Sequence, residues 1–406
     1  MKKILLLSAI MAGAMSVNAQ SDFKVKEIAK LPVKNITNYD KGVSRTGYGF
    51  GDKFYMTDRG AMELRVFDLG TGEEIAQKEI GKGVMALGHD EFGNAILGNW
   101  EFPGSNPLGS ETTFTLISAD LSKMVTTEKV GSIQGRGDYL GKAKGNVFGA
   151  EGATLLASGA AQDLENKGIV CYTFTPSGGD TPLVNYSNVW DGDQKIGAGT
   201  WATYNYYKDV DGTDRYVYVN RQAPLTDIFF EEGEVNGELT REYSPEDRLC
   251  NRGVCNGGEI FVLGSRKFIV YGNLSNPTYL DGFTIAEIGA DNKTLTTVYT
   301  KEADTSLSRE MTGQCNWLNV EVLNDKQAKL YQYFLGGYAA EYGIAIGDAD
   351  TPATSGVKGI ENAPAQVVST TYYTPAGVAN KAAVKGLNIV VTKYADGSQK
   401  VVKVIK

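Results

Sequence analysis

One histidine, four cysteines, eleven prolines and no long apolar run in 406 residues narrow the chemistry before any motif is read. His89 stands alone, so paired-histidine metal sites and histidine relays have no second ring to use. Positive charge is also short. With 40 Lys and Arg against 48 Asp and Glu, the net charge is −8, and the basic field that a phosphate backbone requires is missing. Nucleic acid is excluded as a partner on that ground. Beyond the first apolar stretch no segment reaches transmembrane length. No sequence motif calls for a cofactor, and none is expected.

The cysteines, Cys171, Cys250, Cys255 and Cys315, allow three disulfide connectivities. Cys250 and Cys255 are spaced to close a small loop, and buried free thiols are the equal alternative. A zinc site is not expected, because a second close pair of ligands is absent. Asp209-Val210-Asp211-Gly212-Thr213-Asp214 alternates carboxylates around a glycine but lacks the distal glutamate of a calcium loop. It reads as a polar hairpin turn, and no metal is expected there.

The N-terminus, by contrast, is explicit. Met1-Lys2-Lys3, the apolar run Ile4 to Met11 and the small-residue exit Val17-Asn18-Ala19 read as a secretory signal peptide over 1–19, cut after Ala19. Export to the extracellular space or cell surface follows as an expectation, with the periplasm as the alternative. No cysteine near the exit offers a lipid attachment point.

The rest is rich in turn and strand formers: 49 Gly, 22 Tyr, 15 Phe and 4 Trp. A weak four-strand unit recurs six times. Its third strand is marked by Leu64–Leu69, Phe114–Ala119, Gly168–Phe174, Asp227–Glu232, Gly282–Ile288 and Tyr342–Gly347, with starts 50 to 60 residues apart. Hairpin-like pairs precede most of these, as in Gly47–Phe50 with Phe54–Thr57 and Val84–His89 with Ala95–Gly98. The sixth unit has no fourth strand, while Phe23–Leu31 stands unmatched near the N-terminus. A ring closed by that segment removes both exposed edges. The pattern predicts an all-β fold, a six-bladed β-propeller over 20–350 closed by an N-terminal strand. Seven blades are the alternative, because the third unit carries a polar insert, Ala160–Lys167.

At that level the chain resembles exported β-propellers, of an uncharacterised family, and Asp90-Glu91-Phe92-Gly93-Asn94-Ala95-Ile96-Leu97 looks like the turn and strand of many secreted blades. Residues 351–365 read as a linker and 366–406 as a small C-terminal β module. The last 52 residues carry a net +5, against −15 for 20–354. Tyr372–Val378, Lys385–Val391, Asp396-Gly397 and Val401–Lys406 together resemble a type IX secretion C-terminal sorting domain. The resemblance implies the type IX machinery as a partner. The alternative is a terminal β accessory module without a sorting role.

In a propeller, loops that enter the first strand and leave the second gather on one face. Here they carry Arg45, Asp58, Arg59, Asn99, Trp100, Arg136, Asp138, Trp201, Asn220, Arg221, Arg252, Asn316 and Trp317, with Trp190 nearby. Aromatic planes flanked by Arg, Asp and Asn suit sugar recognition, whereas the same tryptophans would serve equally as wedges between blades. The expected function is non-catalytic binding of a glycan or a cell-surface or extracellular protein. A polysaccharide hydrolase or lyase is the alternative, with Asp58 or Asp138 as acid or base and Arg59, Arg136 or Arg221 on an anionic sugar. A purely structural surface protein is the third reading. His89, before a hairpin turn on the opposite face, is expected to be structural.

Overall fold

The computed structural model describes residues 22–32, 46–58, 61–80, 84–99, 112–130, 140–159, 168–190, 203–219, 225–231, 234–235, 241–243, 257–274, 278–304, 309–310, 316–334, 338–353, 367–374, 378–394 and 399–406. The signal segment 1–19, the polar insert Ala160–Lys167 and most of the expected linker lie outside these. Two compact units divide the chain, Met1–Thr354 and Ser355–Lys406. Among the described residues there is no helix, so none is long and apolar enough to cross a membrane.

The strand β1 (Phe23–Pro32) opens the first unit but does not join the strands that follow it. The first consecutive sheet is β2 (Gly47–Phe50), β3 (Lys53–Asp58), β4 (Glu63–Asp68) and β5 (Glu74–Glu79). Next come β6 (Val84–His89), β7 (Ala95–Asn99), β8 (Thr113–Ile117) and β9 (Met124–Thr126). A third sheet holds β10 (Lys144–Gly145), β11 (Ala153–Gly159), β12 (Gly168–Thr175) and β13 (Leu183–Trp190). The fourth holds β14 (Thr203–Lys208), β15 (Asp214–Val219) and β16 (Leu225–Glu231), and β16 takes both β17 (Glu234–Val235) and β18 (Arg241–Tyr243).

The fifth holds β19 (Gly258–Leu263), β20 (Arg266–Leu274), β21 (Thr278–Ile288) and β22 (Leu295–Lys301), with β23 (Arg309–Glu310) beside β21. The last sheet of this unit is β24 (Asn316–Asn324), β25 (Gln327–Phe334) and β26 (Tyr338–Ile346). Its outer edge is covered by β1, antiparallel to β26 with Phe23 opposite Ile346 and Leu31 opposite Ala339. Every described pairing inside these sheets is antiparallel. The second unit is one antiparallel sheet of β27 (Val367–Tyr373), β28 (Ala379–Asn380), β29 (Leu387–Tyr394) and β30 (Gln399–Ile405).

Side-chain alternation explains where the core sits. The second, third and middle strands are apolar on both faces because both are covered, as in β25, buried from Ala328 to Phe334. The outer strand β5 is exposed or half-buried along its length. The apolar clusters bridge consecutive sheets: Tyr48 and Val66 meet Leu87 and Leu97, and Phe114 meets Leu155 and Phe174. A larger cluster joins Phe54, Phe268, Trp317 and Tyr333.

At the inner strands the backbones come too close for side chains. A Cβ on Gly49 would lie 2.0 Å from the Tyr331 ring, and one on Gly141 would lie 2.0 Å from the Tyr204 carbonyl oxygen. Polar side chains then link one inner strand to the next. Asn319 Nδ2 donates to Gly49 O at 2.8 Å while its Oδ1 accepts from Gly49 N at 2.9 Å. Asn205 Nδ2 donates to Gly258 O at 2.8 Å, and its Oδ1 accepts from Lys142 N at 3.0 Å. His89 and Lys142 form a parallel bridge, and Val320 N donates to Glu259 Oε2 at 2.8 Å.

Candidate functional site

These close approaches leave a cavity of about 410 Å³ where the inner strands end in their hairpin turns. That volume falls in the ordinary range of small-ligand pockets, roughly 300 to 1,000 Å³. Phe50 from β2, His89 from β6, Lys142 from the segment before β10, Tyr206 from β14, Val262 from β19 and Glu321 from β24 all reach it. The wall therefore mixes apolar, aromatic and charged groups. A second void of about 20 Å³, room for roughly one water, lies among His89, Asn205, Glu259, Trp317 and Asn319.

The acidic groups of the wall are occupied. Asp90 accepts from Phe92 N, Asn94 N, Asn94 Nδ2 and Val147 N at 2.7 to 3.0 Å, fastening its hairpin turn to the neighbouring sheet. Burial still raises its pKa, against the lowering effect of those four donors. Asp209 takes both its oxygens to Lys267 Nζ at 2.9 Å, with Arg215 Nε 3.8 Å away. Glu321 Oε2 accepts from Gly51 N at 2.8 Å and from Tyr331 Oη at 2.7 Å. Glu91 Oε2 accepts from Gly145 N at 2.6 Å.

His89, Lys142 and Glu259 differ from these. The His89 ring stacks on Tyr48 with centroids 4.5 Å apart. Its Nδ1 lies 2.9 Å from Asp90 O, and burial together with the Lys142 charge lowers the imidazole pKa to about 3. The ring is therefore neutral at physiological pH: Nδ1 carries the proton to Asp90 O, and Nε2 is left as an acceptor. Lys142 is half-buried and its Nζ donates to Val320 O at 3.3 Å, so that among the described residues two of its N–H groups have no acceptor. Glu259 is 2% exposed. Its Oε1 has no hydrogen-bond partner, and burial pushes the carboxyl pKa up to about 7 although Lys142 and Val320 N pull it down.

Sequence reasoning pointed to the other end of the inner strands. Pairing of Gly47 with Met56 places Asp58 beside the start of β2, away from the turn at Gly51 and the cavity. Asp58 is 1% exposed and accepts from Ala61 N at 3.0 Å, closing a turn. Of the two readings open for Trp317, exposed stacking plane or wedge between blades, its burial favours the second: it is 8% exposed and packed in the cluster with Phe54 and Tyr333. It pairs with Tyr333 in register, which draws its ring into the core.

Arg45, Arg59, Trp100, Arg136, Asp138, Trp201, Asn220, Arg221 and Arg252 lie outside the described residues. Asn99, Trp190 and Asn316 are described only as backbone in β7, β13 and β24. The Asp209–Asp214 segment is a hairpin turn, with Asp211 on Thr213 and Asp214 on Lys144 and Tyr206. Cys171 is buried and free, and the other cysteines lie outside the described residues. Lys142 and Glu259, the groups that set the cavity apart, were not anticipated. The one local signal was a lysine beside glycine, Gly141-Lys142, in a stretch without alternation.

Neither a protein-family profile nor a curated protein matches the chain. Solved structures do. A DUF4623 family protein from Bacteroides eggerthii is 10% identical, with 82% of this chain and 84% of that one covered at a TM-score of 0.48. A calcium-binding regucalcin from Agrobacterium tumefaciens is 10% identical over 81% and 97%, with a TM-score of 0.40. An alpha-L-arabinofuranosidase from Fusarium graminearum reaches 0.50 at 10% identity over 79% and 98%. The arabinofuranosidase is a propeller fold, and the first unit of this chain is similar to it in being built of successive antiparallel sheets of four strands or more. At this identity the likeness concerns the fold alone.

Proposed function

We propose that this chain is an exported, non-catalytic six-bladed β-propeller, closed by β1 on the last blade, that binds a glycan or an extracellular protein through one face. The six sheets of the first unit and the β1–β26 pairing support the blade count and the closure. The signal-like segment 1–19 and the sorting-like pattern of 366–406 support export, with delivery by the type IX machinery.

The non-catalytic reading rests on one observation: the carboxylates around the cavity are engaged in structural bonds. Asp90, Asp209, Glu91 and Glu321 each hold backbone or side-chain donors. General acid and base work on a glycosidic bond requires two carboxyl groups flanking that bond and free to exchange protons with it. Glu259 has the raised pKa of a general acid, which favours the hydrolase alternative, but it is buried on β19 and borders the small void, not the cavity.

The test is a glycan array and an extracellular-protein capture with Gln20–Lys406, alongside assays for reducing ends and for unsaturated uronates released from polysaccharides. Binding without bond cleavage is expected. Cleavage would install the hydrolase or lyase, and a blank array with no captured partner would leave the structural surface protein.

A further inference from the structure

Beyond the loop face, we propose that the cavity at the hairpin-turn end of the inner strands is a second site, taking a small organic carboxylate. The anion would rest on Lys142 Nζ and the body of the ligand against Phe50, Val262 and Val322.

The distribution of hydrogen bonds carries this. The ammonium of a half-buried lysine that keeps two N–H groups without acceptors among the described residues has gained one 3.3 Å bond, so an anionic acceptor in the cavity improves its position. The acids that could neutralise it from the wall are directed elsewhere. Asp90 faces its own turn, Asp209 faces Lys267, and Glu321 faces Gly51 N and Tyr331. Next to this donor stands an acceptor, His89 Nε2, suited to a ligand hydroxyl. Phe50 and Val262 are half-buried and Val322 is exposed, which offers apolar surface at the mouth. The site therefore asks for one negative end, room for a hydroxyl and an apolar or ring-shaped body.

Glu259 makes this site sensitive to pH. When its carboxyl is protonated, Lys142 has no negative neighbour behind it and attracts an anion fully; when ionised, it competes with the ligand. The other charged or titratable groups around the cavity are His89, Asp90, Glu91, Tyr206, Tyr207, Lys208, Asp209 and Glu321. His89 is neutral above pH 4, and the four acids are held in the bonds described above.

Calorimetry on Gln20–Lys406 with three probes tests the proposal: sodium glucuronate, sodium cyclohexanecarboxylate and neutral methyl glucoside. The two carboxylates separate a sugar acid from a non-sugar acid, and the glucoside removes the charge. At least one carboxylate is expected to bind about tenfold or more tightly than the glucoside, with binding weakened about tenfold or more in Lys142→Met and retained in Lys142→Arg. Affinity should fall as pH rises from 6 to 8 in the wild type and stay level in Glu259→Gln. Melting curves and near-ultraviolet dichroism confirm that each variant is folded. Three results would each overturn the site: no carboxylate binding at about 10 mM, equal binding of the glucoside, or unchanged binding in folded Lys142→Met.

Discussion

Two lysine and carboxylate clusters in the first unit follow opposite rules. Between the fourth and fifth sheets, Lys267 is 4% exposed and spends its charge on both oxygens of Asp209, with Arg215 beside them. At the inner strands, Lys142 and Glu259 sit near enough to influence each other, yet among the described residues Lys142 Nζ bonds to a carbonyl and Glu259 Oε1 has no partner. The first arrangement engages both carboxylate oxygens and two of the three ammonium donors. A charge buried with its partner is expensive to disturb, because removing either member strands the other out of water. The second leaves ammonium donors at a cavity, which is what a binding site needs and a structural joint does not. Burial and charge alone do not separate these two uses; the hydrogen-bond accounts do.

The largest expected effect breaks the scaffold that holds both clusters. Deleting residues 22–32 removes Phe23 and Leu31 from the core and uncovers the edge of β26. A fall in melting temperature of more than about 10 °C, or loss of a single cooperative transition, is expected; unchanged melting would rule out closure by β1. Next in size is Trp317→Ala, which empties a site in the cluster with Phe54 and Tyr333 and should cost about 3 to 5 kcal/mol in urea unfolding. A cost below about 1 kcal/mol would return Trp317 to the exposed role that the sequence suggested.

A smaller effect is visible only against pH. Glu259 titrates near 7 when folded, above its ordinary 4.5, so the folded state holds an extra proton between those values. Its contribution is complete below pH 4.5 and is lost as pH rises through 7, by about 3 kcal/mol. His89 works the other way: its pKa is lowered from 6.5 to about 3, so stability falls as pH drops through that window. Glu259→Gln should remove the loss between pH 4.5 and 7 and keep the acid-side loss due to His89. Identical stability profiles for the variant and the wild type would contradict the placement of Glu259.

Much of the strand order was legible because it depends on neighbours in sequence. Val84–His89 coincides with β6, and Glu74 to Ile80 with β5 to within a residue, since alternation and Gly-Asn or Gly-Thr turns are local signals. The unmatched Phe23–Leu31 pairs with β26 across more than 300 residues, and only the missing fourth strand of the sixth unit hinted at it. The third unit hid its inner hairpin. There β10 is two residues long, in Lys-Ala-Lys-Gly, and the segment is held by His89, Asn205 and Tyr206 rather than by its own pattern.

The site was less legible for the same reason. Lys142 acquires its setting from Asn205 and Val320, 63 and 178 positions away, and no spacing rule announces that. Trp317 shows the same limit: the sequence left an exposed plane and a wedge between blades both open, and its pairing with the buried Tyr333 across more than ten residues puts it in the core.

The contrast between the two clusters is tested most directly by measuring the unfolding free energies of Asp209→Asn and Lys142→Met side by side in urea at pH 7. Asp209→Asn should lose about 3 to 5 kcal/mol, because it takes away the carboxylate whose two oxygens hold the buried Lys267 ammonium. Lys142→Met should lose less than about 1 kcal/mol, because that ammonium supports a single carbonyl contact in the folded chain. Equal losses in the two variants would mean that Lys142 is a structural joint like Lys267, and the distinction between the clusters would fall.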